Sequence, residues 1–166
     1  MKNIPRGLFL VLLLIGCSSP ADEITTFILV RHAEKGNDGT DDPDLTDEGK
    51  ARAENLLTMF KDTPLAAVYS TKYKRTKNTV WPIAEIQNLE IQEYEAFKPD
   101  IIENMVNKHR GATVLISGHS NTTPWTANFL VGRETFKDYA ETEYGIILIV
   151  AVAEVGGVTS VTRVNY

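Results

Sequence analysis

Thr25-Thr26-Phe27-Ile28-Leu29-Val30, followed at once by Arg31-His32, decides the fold. A short, continuous apolar run rich in β-branched residues reads as a strand covered on both faces. Ala112-Thr113-Val114-Leu115-Ile116-Ser117 has the same character and runs into Gly118-His119-Ser120-Asn121. Leu65 to Tyr69 is a third such run, followed by Ser70 and, a few residues on, Arg75. Each strand therefore delivers polar, cationic or titratable residues at its carboxyl end.

Helical patterns separate these strands. Thr46 suits an N-cap, with Asp47 and Glu48 in the first turn and Ala53, Leu56, Leu57 and Phe60 forming an apolar face. Residues 73–86 read as a helix that Pro82 should bend or end near Trp81. Glu90 to Tyr94 reads as a short strand. Pro99 opens a helix whose apolar face is Ile101, Ile102, Met105 and Val106 and which runs to about His109. Pro124 to Leu130 follows the central strand as another helix. Gly145 to Val152 and Val158 to Val164 flank Gly156-Gly157 and predict a hairpin. Strands alternating with helices imply a three-layer α/β/α sandwich around a mostly parallel central sheet, with the C-terminal hairpin as an antiparallel edge.

The 166 residues, 43% hydrophobic and 23% charged, fit one globular domain. The beginning differs. Lys2 and Arg6 precede the uncharged run Leu8 to Ile15, too short for the roughly 20 apolar residues of a membrane span. It ends Leu14-Ile15-Gly16-Cys17, which resembles the lipobox of bacterial lipoproteins. The expected organisation is a signal peptide with lipobox over 1–17, a tether over 18–23 and one folded domain over 24–166. Lipidation at Cys17 would anchor an exported chain to the membrane of a bacterial cell envelope. A lone cysteine allows no internal disulfide and no multi-cysteine zinc site. A net charge of −5, more negative still once Lys2 and Arg6 are removed, disfavours non-specific nucleic-acid binding.

An anion site in such a chain needs a local concentration of positive charge. Ligands of open α/β sheets bind beyond the carboxyl ends of the strands. If the strands are parallel, Arg31, His32, Arg75 and His119 share one rim. Guanidinium forks match phosphate oxygens and stay charged at any relevant pH. A neutral imidazole is a competent nucleophile. Phosphoryl transfer asks mainly for positioning and charge stabilisation, which arginines supply without a metal or cofactor.

Several elements carry a family resemblance. Arg31-His32-Ala33-Glu34 resembles the Arg-His-Gly signature of the histidine phosphatase (phosphoglycerate mutase-like) superfamily, with Ala33 in place of glycine. Leu45-Thr46 with Gly49 resembles the segment that opens the family's first helix. Ser70, Arg75 and Thr79 resemble its serine-x4-arginine-x3-threonine element, and Val114 to His119 its strand ending in glycine-histidine. The resemblance implies that His32 becomes phosphorylated, that Arg31, Arg75 and His119 hold the phosphoryl group, and that water then attacks the phosphohistidine. Ser70 and Asn121 would add hydrogen bonds to the substrate. The family's tryptophan-glutamate-glycine motif is absent. Glu93 is the expected proton donor, ahead of Glu95 and Glu143; a good leaving group would need no strong acid.

The expected partner is a small phosphorylated substrate or a phosphoprotein. The competing readings are a phosphoglycerate mutase-like phosphotransferase, a catalytically weak phosphate-binding lipoprotein and a metal hydrolase using both histidines with the acidic loop. His109 reads as a surface residue at a helix end, and Trp81 and Trp125 as core or pocket wall. Asp38, Asp41, Asp42 and Asp44 read as a solvated loop at the pocket mouth, since they do not meet the EF-hand pattern. Substrate specificity would lie in residues 33–44, 93–100 and 132–144, which carry no pattern that names a substrate.

Overall fold

In the computed structural model, which describes residues 23–166, the first apolar run becomes the middle of a six-stranded sheet. The chain order is β1 (Thr25–Arg31), α1 (Asp47–Phe60), β2 (Ala67–Ser70), α2 (Lys74–Ile86), β3 (Ile91–Glu93), α3 (Pro99–Lys108), β4 (Thr113–Gly118), α4 (Thr122–Val131), β5 (Ile146–Val152) and β6 (Val158–Asn165). The strand order is β3-β2-β4-β1-β5-β6. β1 pairs in parallel with β4, β4 with β2, and β2 with β3. β5 runs antiparallel to β1, and β6 antiparallel to β5. This is the mostly parallel sheet with a C-terminal antiparallel hairpin that the patterning predicts. The expected signal peptide, the lipobox-like Cys17 and most of the expected tether lie outside the described residues.

Alternation along β1 divides the core. Phe27 and Leu29 face one layer, where they join Ile102 and Met105 of α3 and Leu130 of α4. Ile28 and Val30 face the other, with Leu56 of α1 and Val80 and Ile83 of α2. Because side chains alternate with period two, both faces of β1 must be apolar, which explains its unbroken run.

Local chemistry sets the helix ends. Thr46 caps α1, its Oγ1 accepting the Gly49 N–H at 3.1 Å. Gly49 is needed for another reason: a Cβ there would collide with the Glu34 carbonyl oxygen. Pro99 occupies the first turn of α3, where its missing N–H costs nothing.

Three expectations need correction. α2 runs through Pro82 to Ile86. Burial of Val80, Ile83 and Ala84 on both sides of the proline holds the helix against a cost of about 3 kcal/mol. α4 begins at Thr122, two residues before Pro124, because proline is well accommodated in the first turn. His109 is buried rather than on the surface, with Nε2 2.9 Å from the Tyr69 hydroxyl. Trp81, 55% exposed, walls a second, smaller pocket beside Asn78 and Pro82, and Trp125 stacks on Phe129.

Candidate active site

Parallel pairing of β1, β4 and β2 brings three strand ends to one rim. The ladder continues one residue past β1, where the His32 N–H donates to the Gly118 carbonyl at 2.9 Å. His32 and His119 therefore face each other with ring centroids 5.4 Å apart and planes at 69°. Both line a cavity of about 1180 Å³, together with Arg31, Arg75, Lys35 and Lys72.

His32 is held in one tautomer. Its Nδ1 lies 2.8 Å from the Ala33 carbonyl oxygen, which can only accept, so Nδ1 carries the proton. Burial, with the charges of Arg31 and Arg75 nearby, lowers its pKa from 6.5 to about 3 despite that bond. The ring is neutral, and Nε2 keeps its lone pair. Ala33 is itself fixed, since its N–H donates to Thr79 Oγ1 at 2.9 Å and Thr79 donates to the Arg75 carbonyl at 2.7 Å. One threonine thus ties the end of β1 to α2.

His119 is set by the start of α4. Its N–H donates to Thr122 Oγ1 at 2.8 Å, and its Nε2 lies 2.9 Å from Thr71 Oγ1. Burial, then Arg75 and Arg31, lower its pKa to about 4. A Cβ on Gly118 would come within 2.6 Å of Thr122 Oγ1, so glycine permits this close approach before the histidine.

The two arginines are anchored differently. Arg31 is 1% exposed. Its Nη1 donates to the Ala140 and Glu143 carbonyls at 2.7 Å each, and Nη2 to the Glu141 carbonyl at 3.1 Å. Its guanidinium carbon lies 4.2 Å from the Tyr144 ring centroid. Arg75 lies 4.2 Å from the Tyr73 ring centroid, donates to the Asp41 carbonyl at 3.1 Å and pairs with Asp42 at 3.6 Å. Nε of each arginine is buried without a protein partner among the described residues. Positive charge thus converges on neutral histidines, an arrangement suited to a tetrahedral oxyanion.

The remaining candidates divide. Asn121 lines the cavity; Ser70 does not, because its fully buried Oγ donates to the Thr71 carbonyl at 2.9 Å. Thr71 takes its place there. Glu93 lines the cavity at the end of β3, with its carboxylate paired to Lys77. Glu95 and Glu141 line it too, whereas Glu143 is turned onto the Ala140 N–H at 2.8 Å. Tyr73, Tyr144 and the carbonyls of 140–143 escaped sequence reasoning, since main-chain oxygens leave no mark in residue type. None of the acidic-loop aspartates lines the cavity; Asp42 and Asp44 bind α2, accepting from the Lys74 N–H at 2.9 Å and Asn78 at 3.0 Å. Among the described residues no group of three or more His, Cys, Asp or Glu gathers as metal ligands.

Comparison with known proteins finds several similar chains. Residues 27–98 match the model of the histidine phosphatase superfamily (branch 1). Phosphoserine phosphatase 1 of Hydrogenobacter thermophilus is 41% identical over 70 residues, 39% of this chain and 33% of that protein. The match therefore spans about a third of that relative's length. The protein histidine phosphatase SixA, solved with tungstate, superposes with a TM-score of 0.68 at 16% identity, over 84% of this chain and 96% of that one. The Entamoeba histolytica phosphoserine phosphatase, solved with 3-phosphoglyceric acid, gives 0.65 at 15% identity over 83% and 96%. At such identities the structural likeness speaks for the fold.

Proposed function

We propose that this chain, which is similar to the histidine phosphatase superfamily over residues 27–98, is a metal-independent hydrolase of phosphomonoesters or phosphohistidine that works through a phosphohistidine on His32. The observation that carries the reading is the His32 ring: neutral, proton on Nδ1, Nε2 free beside two arginines.

Nε2 attacks phosphorus in line with the leaving group. The N–P bond forms as the bond from phosphorus to the leaving oxygen or nitrogen breaks, and the leaving group takes a proton. Arg31, Arg75 and His119 stabilise charge on the equatorial oxygens. Water then attacks phosphorus, the N–P bond breaks, and phosphate departs with His32 neutral again. Glu93 is the proton donor in this reading, supported by its place on the cavity wall; it must leave Lys77 to act. Asn121 is a further substrate contact.

The test is hydrolysis of p-nitrophenyl phosphate by the full chain with and without EDTA, repeated with His32→Ala. Activity should survive EDTA and vanish in the variant, and quenching in alkaline denaturant should trap phosphate on the protein that acid then releases, as a phosphohistidine requires. Loss of activity with EDTA, or unchanged turnover in His32→Ala, would overturn the reading.

We infer also that the chain is exported and anchored through a lipid on Cys17, a reading supported by Lys2, Arg6, the Leu8 to Ile15 run and the lipobox-like ending. Expressed in a bacterium, the chain should enter the membrane fraction and the Cys17→Ser variant should not.

A further inference from the structure

The cavity is larger than a phosphoryl group requires. Beyond the histidines its wall passes to the β3–α3 connection and the face of α3, through Tyr94, Ala96, Phe97, Ile101 and Met105. Apolar side chains dominate this arm, with Glu95 and Asn104 among them, whereas the rim is cationic. Lys108, which also borders it, is engaged: Nζ donates to Gln92 Oε1 at 3.2 Å and reaches the Tyr69 hydroxyl at 3.4 Å. The arm therefore does not offer a second anion site.

Phe97 is the unusual residue of this wall. Its φ is +61°, a left-handed conformation that disfavours a bulky side chain. Its ring nevertheless stays 48% exposed, so burial of that ring does not account for the strained backbone. It meets Trp125 edge-on at 5.4 Å, and Trp125 stacks on Phe129 at 5.6 Å with planes 10° apart. Both platform residues belong to α4, the helix whose first turn holds His119. The chain thus holds an aromatic face at the cavity by the same element that positions a catalytic histidine. The Tyr94 hydroxyl, buried beside Thr122 and Thr126, adds one polar atom to this wall.

We infer that this arm is a leaving-group subsite for a flat aromatic group, with Phe97 as a specificity-determining residue, so that the preferred substrates are phosphomonoesters of aryl or aryl-alkyl alcohols. The phosphoryl group sits among Arg31, Arg75 and the histidines, and the organic part lies against Phe97, Ile101 and Met105. The word leaving-group rests on the hydrolase reading above; the aromatic subsite does not.

Phosphonates separate the two, because their carbon–phosphorus bond is not hydrolysed. Binding of benzylphosphonate and methylphosphonate to the full chain is measured by titration calorimetry, beside turnover of p-nitrophenyl phosphate. Benzylphosphonate should bind at least about tenfold tighter, as burial of a phenyl ring implies. Phe97→Asn removes the ring and keeps a residue that tolerates positive φ; it should bring the two affinities within about threefold. Ile101→Ala should narrow the ratio in the same direction. Equal affinities in the native chain, a ratio unmoved by Phe97→Asn, or no binding of either phosphonate overturns the subsite. Benzyl preference without turnover retains the subsite and removes the hydrolase, whereas turnover without preference does the reverse.

Discussion

Thr79 Oγ1 stands between two parts of the site, accepting the Ala33 N–H at 2.9 Å and donating to the Arg75 carbonyl at 2.7 Å. The Ala33 carbonyl in turn fixes the His32 tautomer. Thr79→Val keeps the shape and removes the acceptor, leaving a buried N–H unpaired at a cost of about 1–3 kcal/mol. We expect a lower melting temperature and a fall in kcat of about tenfold or more, with KM less affected. Thr79→Ser should restore both, which a purely packing role would not achieve.

Ala33 stands where the Arg-His-Gly signature that this segment resembles has glycine, and its φ is not positive. No left-handed backbone therefore demands glycine there. The methyl group is fully buried against Leu45 and Ala53. Ala33→Gly should lower stability by about 1–2 kcal/mol, through lost packing and a freer unfolded chain, while retaining most turnover. Chemical denaturation beside a p-nitrophenyl phosphate assay checks this.

Arg31 binds the main chain of residues 140–143 with a fork that lysine cannot reproduce. Arg31→Lys keeps the charge but leaves carbonyls without donors. Residues 140–144 should become more open to proteolysis, and stability should fall by about 2–4 kcal/mol. Limited digestion with mass mapping reports the first effect and thermal denaturation the second. Turnover should fall by at least about a hundredfold, because the positive charge at the phosphoryl site loses its fixed place.

Acid should destabilise the fold through its histidines. His32 is lowered from 6.5 to about 3 and His119 to about 4. Between those values and 6.5 the unfolded chain binds protons that the folded chain does not, so stability falls as pH drops below about 6.5. For His32 alone the loss at pH 5 is about 2 kcal/mol. The melting temperature should decline from pH 7 to pH 5, and His32→Gln should decline less steeply.

Elements with a strong period were legible from residue type. The parallel strands announced themselves because both faces are covered, and Arg31, His32, Arg75 and His119 followed from where those strands end. What escaped has physical reasons. Pro82 reads as a breaker, but tertiary burial on both sides of it outweighed the local penalty. His109 looked like a helix-end surface residue because its partner, Tyr69, is remote in sequence. Ser70 and Thr71 are adjacent hydroxyls, and the last bend of β2, rather than their chemistry, decides which meets the cavity. Residues 132–144 have no period, and their contribution to Arg31 is made by carbonyl oxygens common to every residue.

The position of β1 has a consequence for synthesis. Phe27 pairs with Val114 on one side and Val150 on the other, so the earliest strand of the domain waits for partners made much later. Until β4 has been made Phe27-Ile28-Leu29-Val30 lacks a partner on either edge, and one edge stays open until β5 follows. Such non-local pairing slows folding and leaves a β-prone segment open to aggregation. The middle of the sheet is where the chemistry gathers, and it is also the part of the growing chain that most needs a chaperone.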